Sequence, residues 1–287
     1  MKTHKDIDNQ VSILKSHGLI VKNELFAKDI LSTINYYRLS GYLFQFRKTD
    51  GQYIEGLTFE RILNLYTFDS KLTRILMYAL ENVEESLKTR FSYELSSCFP
   101  NDPLIYLGKA IFKDATEHKK FVDIFNKAKK DNSALPFIKH HDSKYNGNLP
   151  IWVAVEIMTM GNLFKLYSNL KTEYQKRIAK KYNTGPVQLL SWIENLTYTR
   201  NHLAHYMRIY NYNFGRIPAS CSNHIAVTQS GKIFDQILAI GFMFSNSSEW
   251  KSYVVPEIAK LIADYKPDIE LQDIGFPVNW EEILISI

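Results

Sequence analysis

Apolar positions recur at intervals of three and four along most of the chain, and no stretch alternates steadily with period two. This pattern predicts helices and little sheet. The clearest case runs from Thr58 to Cys98 without a Gly or Pro. Leu65, Phe68, Leu72, Ile75, Ala79, Val83 and Leu87 fall there on one stripe, and Pro100 and Pro103 stop it. About forty residues at 1.5 Å each would span roughly 60 Å, so a bend or two consecutive helices is expected.

The rest of the chain reads the same way. Short helices are expected at 5–17 and 23–35, the second capped by Asn23, whose side chain can accept an orphan backbone N–H. Ile34–Arg47 is a compact aromatic block, INYYRLSGYLFQFR, followed by a turn at Thr49–Gly51. A lysine-rich helix is expected at 113–130 and a loop at 146–150. Pro150 then opens a helix to Met160, with Gly161 closing it in the left-handed conformation. Further helices are expected at 162–182, 186–209, 232–245 and 249–265, with a loop over 211–222. The tail from Lys266 holds two Pro and reads as an extended segment. The fold class is therefore all-α, a helical bundle with an N-terminal helical cap and an extended C-terminal tail. The expected divisions are 1–57 for the cap, 58–265 for the core and 266–287 for the tail.

Composition narrows the class without changing that picture. The 287 residues are 45% hydrophobic and 23% charged, as in ordinary globular proteins and unlike disordered chains. Two cysteines, Cys98 and Cys221, make no disulfide framework, which points to a reducing, cytoplasmic setting. The densest apolar run, Ile237–Phe244, is far short of the roughly 20 residues of a spanning helix. No apolar h-region stands near Met1, so neither a membrane segment nor a signal peptide is expected. The net charge is +5, unevenly spread. Residues 109–181 hold fifteen Lys/Arg against seven Asp/Glu, and residues 249–287 hold three against eight. The basic span is either a polyanion-binding face or a set of solvated lysine-rich helix faces.

Several chemistries have no motif here. There is no GxxxxGK[ST] or GxGxxG phosphate loop, no CxxC or HExxH metal spacing and no GxSxG elbow, so neither a cofactor nor a metal is expected. One segment does carry candidate chemistry: RNHLAHYMRIYN, Arg200–Asn211. Arg200 and His205 are five positions apart, roughly 140° and 7.5 Å on a helix. A guanidinium grips phosphodiester oxygens with two hydrogen bonds and stays charged. An imidazole titrates near neutrality and can move a proton to or from a ribose oxygen. Together they could cut RNA through its own 2′-OH. By spacing alone the pair is no more than a chain with eight His yields by chance, and a salt-bridged Arg with a capped or packed His is the better reading.

The two blocks, Ile34–Arg47 and Arg200–Asn211, together resemble the Abi-like family, the AbiD/AbiF group of bacterial abortive-infection proteins. Leu65–Arg90 resembles that family's long central helix, Leu149–Tyr167 its Pro-x-Trp…Glu…Gly segment, and Asp268–Trp280 its tail. The resemblance implies an all-helical HEPN-type bundle, in which an Arg-x4–6-His motif marks a metal-independent endoribonuclease and two copies share one composite site. It implies a role in halting the host cell when a phage infects. Carried over, Arg200, His205 and Asn201 are the catalytic candidates, and RNA is the substrate, with a homodimer through the motif face. Tyr206 stands where the family often has a second His. The alternative it implies is a non-catalytic module that holds a small structured noncoding RNA in a toxin–antitoxin-like ribonucleoprotein.

Other residues divide between contact and packing. Arg38, Tyr37 and Tyr42 can stack bases and hold phosphate, or the tyrosines can be half-buried with paired hydroxyls while Gly41 permits a close helix crossing. His202, Arg208 and Asn211 can hold phosphate or brace the loop. Trp152, Glu156 and Trp192 read as core packing with a buried ion pair. Glu84, Glu85 and Arg90 could pair with one another or with Arg200. His140 and His141, adjacent and so on different helix faces, read as surface residues or as groups that approach a polyanion.

Overall fold

The structure is a computed structural model, and it describes residues 3–220 and 229–287. Cys221 and the end of the expected 211–222 loop lie outside the described residues. Among those residues the fold is all-α: there is no strand, only isolated bridges such as Ile20 with Thr58.

The N-terminal region forms α1 (Ile7–Ser16), α2 (Glu24–Thr33) and α3 (Tyr36–Leu43), the last running into a 3-10 turn at Phe44–Phe46. Asn23 caps α2 as expected, accepting the Phe26 N–H at 3.0 Å. Then comes α4 (Phe59–Cys98), capped by Thr58. It is one uninterrupted helix, not two. Its stripe, with Ile75 only partly covered, is buried from Phe59 to Leu95 against its neighbours, and nothing in its sequence breaks the backbone ladder. It is the spine of the molecule, packing against α3 and most later helices.

α5 (Ala115–Asp131) is the lysine-rich helix, and α6 (Pro136–Lys144) follows, a helix the sequence pattern did not show. The expected 151–160 helix is shorter: α7 (Ile151–Ala154) passes into a 3-10 turn and ends at Met158. Thr159 and Asn162 then form a reciprocal capping box that starts α8 (Met160–Asn169). Gly161 therefore sits in the first turn of α8 and closes nothing. The expected 162–182 helix also divides, because Lys171 gives its N–H to Ile111 at 2.8 Å before α9 (Thr172–Lys180) begins.

α10 (Pro186–Ala204) lies across α4, α8 and α9 and ends five residues earlier than the period predicts. α11 (Ile233–Met243) follows. The next helical stretch joins α12 (Ser247–Glu249), a π turn at Trp250–Val254 and α13 (Val255–Tyr265). The tail is not simply extended. It carries a 3-10 turn at Leu271–Ile274 and a last helix, α14 (Trp280–Ser286), which packs on α13. Trp250 holds that helix by donating its indole N–H to the Leu284 carbonyl at 2.8 Å. No helix among the described residues is long and apolar enough to cross a membrane.

Candidate functional site

α10 starts on Pro186 and buries Leu189, Trp192, Ile193, Leu196, Thr199 and Leu203. Arg200 emerges beside α4, where its Nε lies 3.8 Å from a carboxylate oxygen of Glu84. Its side chain is 39% exposed, so one flank meets the carboxylate and the remainder faces water. Glu84 also meets Lys88 at 3.8 Å, one helical turn along. Contacts of this length orient charges more than they bind them.

The helix end explains why His205 is presented. The Tyr206 N–H bonds the Leu203 carbonyl at 2.9 Å, and the Met207 N–H bonds the His202 carbonyl at 3.1 Å. Tyr206 has φ 55°, in the left-handed region. These two bonds around a left-handed residue form the Schellman closure of a helix, where glycine is usual. A side chain in this conformation costs about 1–2 kcal/mol. Arg38 counters that cost from α3, donating from Nη1 to the Tyr206 carbonyl at 2.6 Å. The aromatic block and the RNHLAH block, far apart in sequence, thus meet at one carbonyl. His205, just past the last helical residue, is exposed, as is Asn201. Neither side chain has a hydrogen-bond partner among the described residues.

Beyond Met207 the chain returns to the interior. Ile209 and Tyr210 are buried, and their N–H groups are received by the carboxylate of Asp69 on α4, at 3.2 and 2.7 Å. The same carboxylate accepts the Tyr42 hydroxyl at 2.7 Å. Burial pushes the Asp69 pKa up to about 6, although these hydrogen bonds and nearby Arg208 favour its charged form. Asn211 has φ 48° and is fixed on both sides, giving its amide N–H to Gln45 and accepting from Lys232, each at 2.7 Å.

The expected site residues therefore fall into two groups. Arg200, Asn201, His205, Arg38 and Tyr37 reach solvent, with Tyr37 86% exposed. Tyr42 and His202 do not. Tyr42 is 4% exposed and bonded to Asp69. His202 is 7% exposed, bonded through Nε2 to the Arg208 carbonyl at 2.9 Å and packed on Tyr212. Burial holds its pKa below the usual 6.5. Both serve the fold, because neither surface is open to a polynucleotide. Arg208 is half-buried over the Tyr42 ring, and Asn211 braces the loop. Gly41 is not forced by crowding, since a Cβ there would meet Arg208 in ordinary contact at 4.0 Å.

Other readings are corrected. Trp152 is 52% exposed and Glu156 is exposed, so they form no buried ion pair; Trp192 alone packs in the core. Arg90 turns away from Arg200, donating to the Lys181 carbonyl and covering the Tyr182 ring. In the basic span, Lys129, Arg177 and Lys181 already pair with Asp142 or Glu94, as structural faces do. His140 is exposed and His141 half-buried.

Asp69 is the residue the sequence reading missed. Its only local sign is an acid inside the apolar stripe, next to Phe68. Among the described residues no three His, Cys, Asp or Glu side chains gather as a metal ion would require.

Residues 29–211 match the family model described as Abi-like protein. The matched span takes in α3, Asp69 and the whole motif through Asn211. No curated protein and no solved structure matches the chain.

Proposed function

The chain belongs to the Abi-like protein family, and from that premise we propose that it is an abortive-infection protein acting as a metal-independent endoribonuclease of HEPN type. The observation that carries the reading is that half-exposed Arg200 and exposed His205 both reach solvent at one end of α10, with Glu84 beside the guanidinium. An open surface of this kind suits a long polyanion and leaves room for a second copy of the chain.

In the proposed reaction Arg200 holds the scissile phosphate and offsets the charge that develops on it. One imidazole takes the proton of the ribose 2′-OH. The 2′-oxygen bonds to phosphorus as the P–O5′ bond breaks, leaving a 2′,3′-cyclic phosphate. The departing 5′-oxygen takes a proton from the imidazolium of the second copy in a homodimer. Asn201, beside Arg200, orients its neighbours, and Arg38 keeps the loop after His205 in place.

The test is cleavage of end-labelled RNA by the purified protein. His205→Ala is expected to lower the rate by roughly 10²–10⁴-fold, with a cyclic phosphate on the wild-type product and no effect of EDTA. Cutting that survives His205→Ala, or that stops with EDTA, overturns the reading. Wild-type protein that retains a small RNA and leaves it whole assigns the same residues to a non-catalytic RNA-holding module.

A further inference from the structure

The Arg38 contact borders a second feature. Between α1, α3 and the turn around Arg47–Tyr53 lies a cavity of about 1060 Å³. Tyr36, Tyr37, Phe44 and Tyr53 contribute aromatic rings to it, and Lys5 and Arg47 contribute cations, while His4 and His17 also line it. None of its described lining residues is Asp or Glu. Arg47 is held at the wall, its Nε donating to the Gly51 carbonyl at 3.1 Å. Phe44, in the 3-10 turn that follows α3, is 76% exposed and, like Tyr37 on α3, offers an apolar ring to water. The two are seven positions apart, nearly one above the other after two turns.

A further polar group at the wall lacks a partner. Gln10 gives its amide N–H to the Lys5 carbonyl at 2.8 Å, which leaves its oxygen buried with no hydrogen bond among the described residues. Buried acceptors are normally satisfied, so this one points to a donor supplied from outside. Rings, cations, no carboxylate and an orphaned acceptor together select a ligand that is planar, anionic and carries an N–H.

We propose that this cavity is a nucleotide subsite, taking an unpaired base against Tyr37 and Phe44 with its phosphate toward Lys5 and Arg47. The inference rests on the RNA reading above and extends it. Tyr37 precedes Arg38, which holds the Tyr206 carbonyl next to His205, so a strand crossing His205 runs along α3 into the cavity. Stacking on aromatic rings with phosphate contacts at the edge tolerates any base, which suits a position away from the scissile bond.

The test uses full-length His205→Ala protein, to keep RNA intact, and a fluorescent single-stranded RNA of roughly 12 nucleotides, with AMP and UMP titrated separately. Adding Tyr37→Ser and Phe44→Ser is expected to weaken RNA binding about tenfold or more at an unchanged melting temperature. 4-Thiouridine in the RNA is expected to cross-link to the peptide that holds Tyr37 and Phe44. Loss of mononucleotide binding alone in the double variant supports the nucleotide subsite with a free nucleotide as its source. RNA bound with undiminished affinity, cross-linked elsewhere and with no mononucleotide binding, removes the cavity but leaves the nuclease reading standing. Absence of RNA and nucleotide binding in the parent protein removes both.

Discussion

The carboxylate of Asp69 accepts the backbone N–H of Tyr210 at 2.7 Å, joining two residues 141 positions apart. It fixes the segment that leaves α10, and with it the position of His205. Tyr42 reaches the same carboxylate from α3. Three sequence blocks thereby converge on one buried acid.

Replacing Asp69 with Ala leaves the buried N–H groups of Ile209 and Tyr210 and the Tyr42 hydroxyl without an acceptor. Losing partners in this way costs roughly 1–3 kcal/mol per group. Asp69→Ala is expected to lower the unfolding free energy by about 3 kcal/mol or more in urea denaturation. A loss below about 1 kcal/mol would show that the carboxylate does not anchor the loop.

Asp69 also carries a pH signature. Its folded pKa, about 6, lies above the ordinary 3.8, so the folded state holds the proton more tightly. Its stabilising contribution is complete below about pH 3.8 and is lost as pH rises through about 6, a change of about 3 kcal/mol. The stability difference between the wild type and Asp69→Asn should therefore fall as pH climbs from about 4 to 7. A difference that stays constant across that window refutes the assignment.

His202 has the opposite sign. Burial depresses its folded pKa below 6.5, so its contribution is present above about 6.5 and is lost as pH falls through the folded value. Wild type should lose more stability on acidification from about pH 7.5 than His202→Gln does, followed by thermal melts. Parallel curves for the two proteins would count against a neutral, buried His202.

Glu84 orients Arg200 from α4 and is itself half-buried. Glu84→Gln keeps the shape and removes the charge. Stability is expected to change by less than about 1 kcal/mol, while kcat for RNA cleavage drops about tenfold with KM little altered. An equal drop for a variant in a remote pair, such as Glu117→Gln, would mean the effect is not positional.

The tail is held through Gly275, at φ 77°. A Cβ there would lie 2.7 Å from Lys232 Cβ and closer still to the Ser230 hydroxyl. Gly275→Ala is expected to destabilise by roughly 2 kcal/mol or more and to expose the tail to limited proteolysis. Wild-type protease resistance in this variant would show that the tail docks without that close approach.

What the sequence determined by itself is whatever depends on neighbours within a few positions. The stripe along α4, the cap at Asn23 and the all-α class were legible because spacing of three and four and a capping side chain act within one or two turns. The blocks at Ile34–Arg47 and Arg200–Asn211 carried the family for the same reason: they are contiguous. Tertiary structure decided where α10 stops, since Tyr206 takes a left-handed conformation held by Arg38 from 168 positions away. It also decided that Tyr42 and His202 face inward, that Trp152 faces outward and that the tail ends in a helix against Trp250. A side chain's periodicity says which face of its helix it occupies. Only the partner packed against that face determines whether it meets water, a buried carboxylate or a ring.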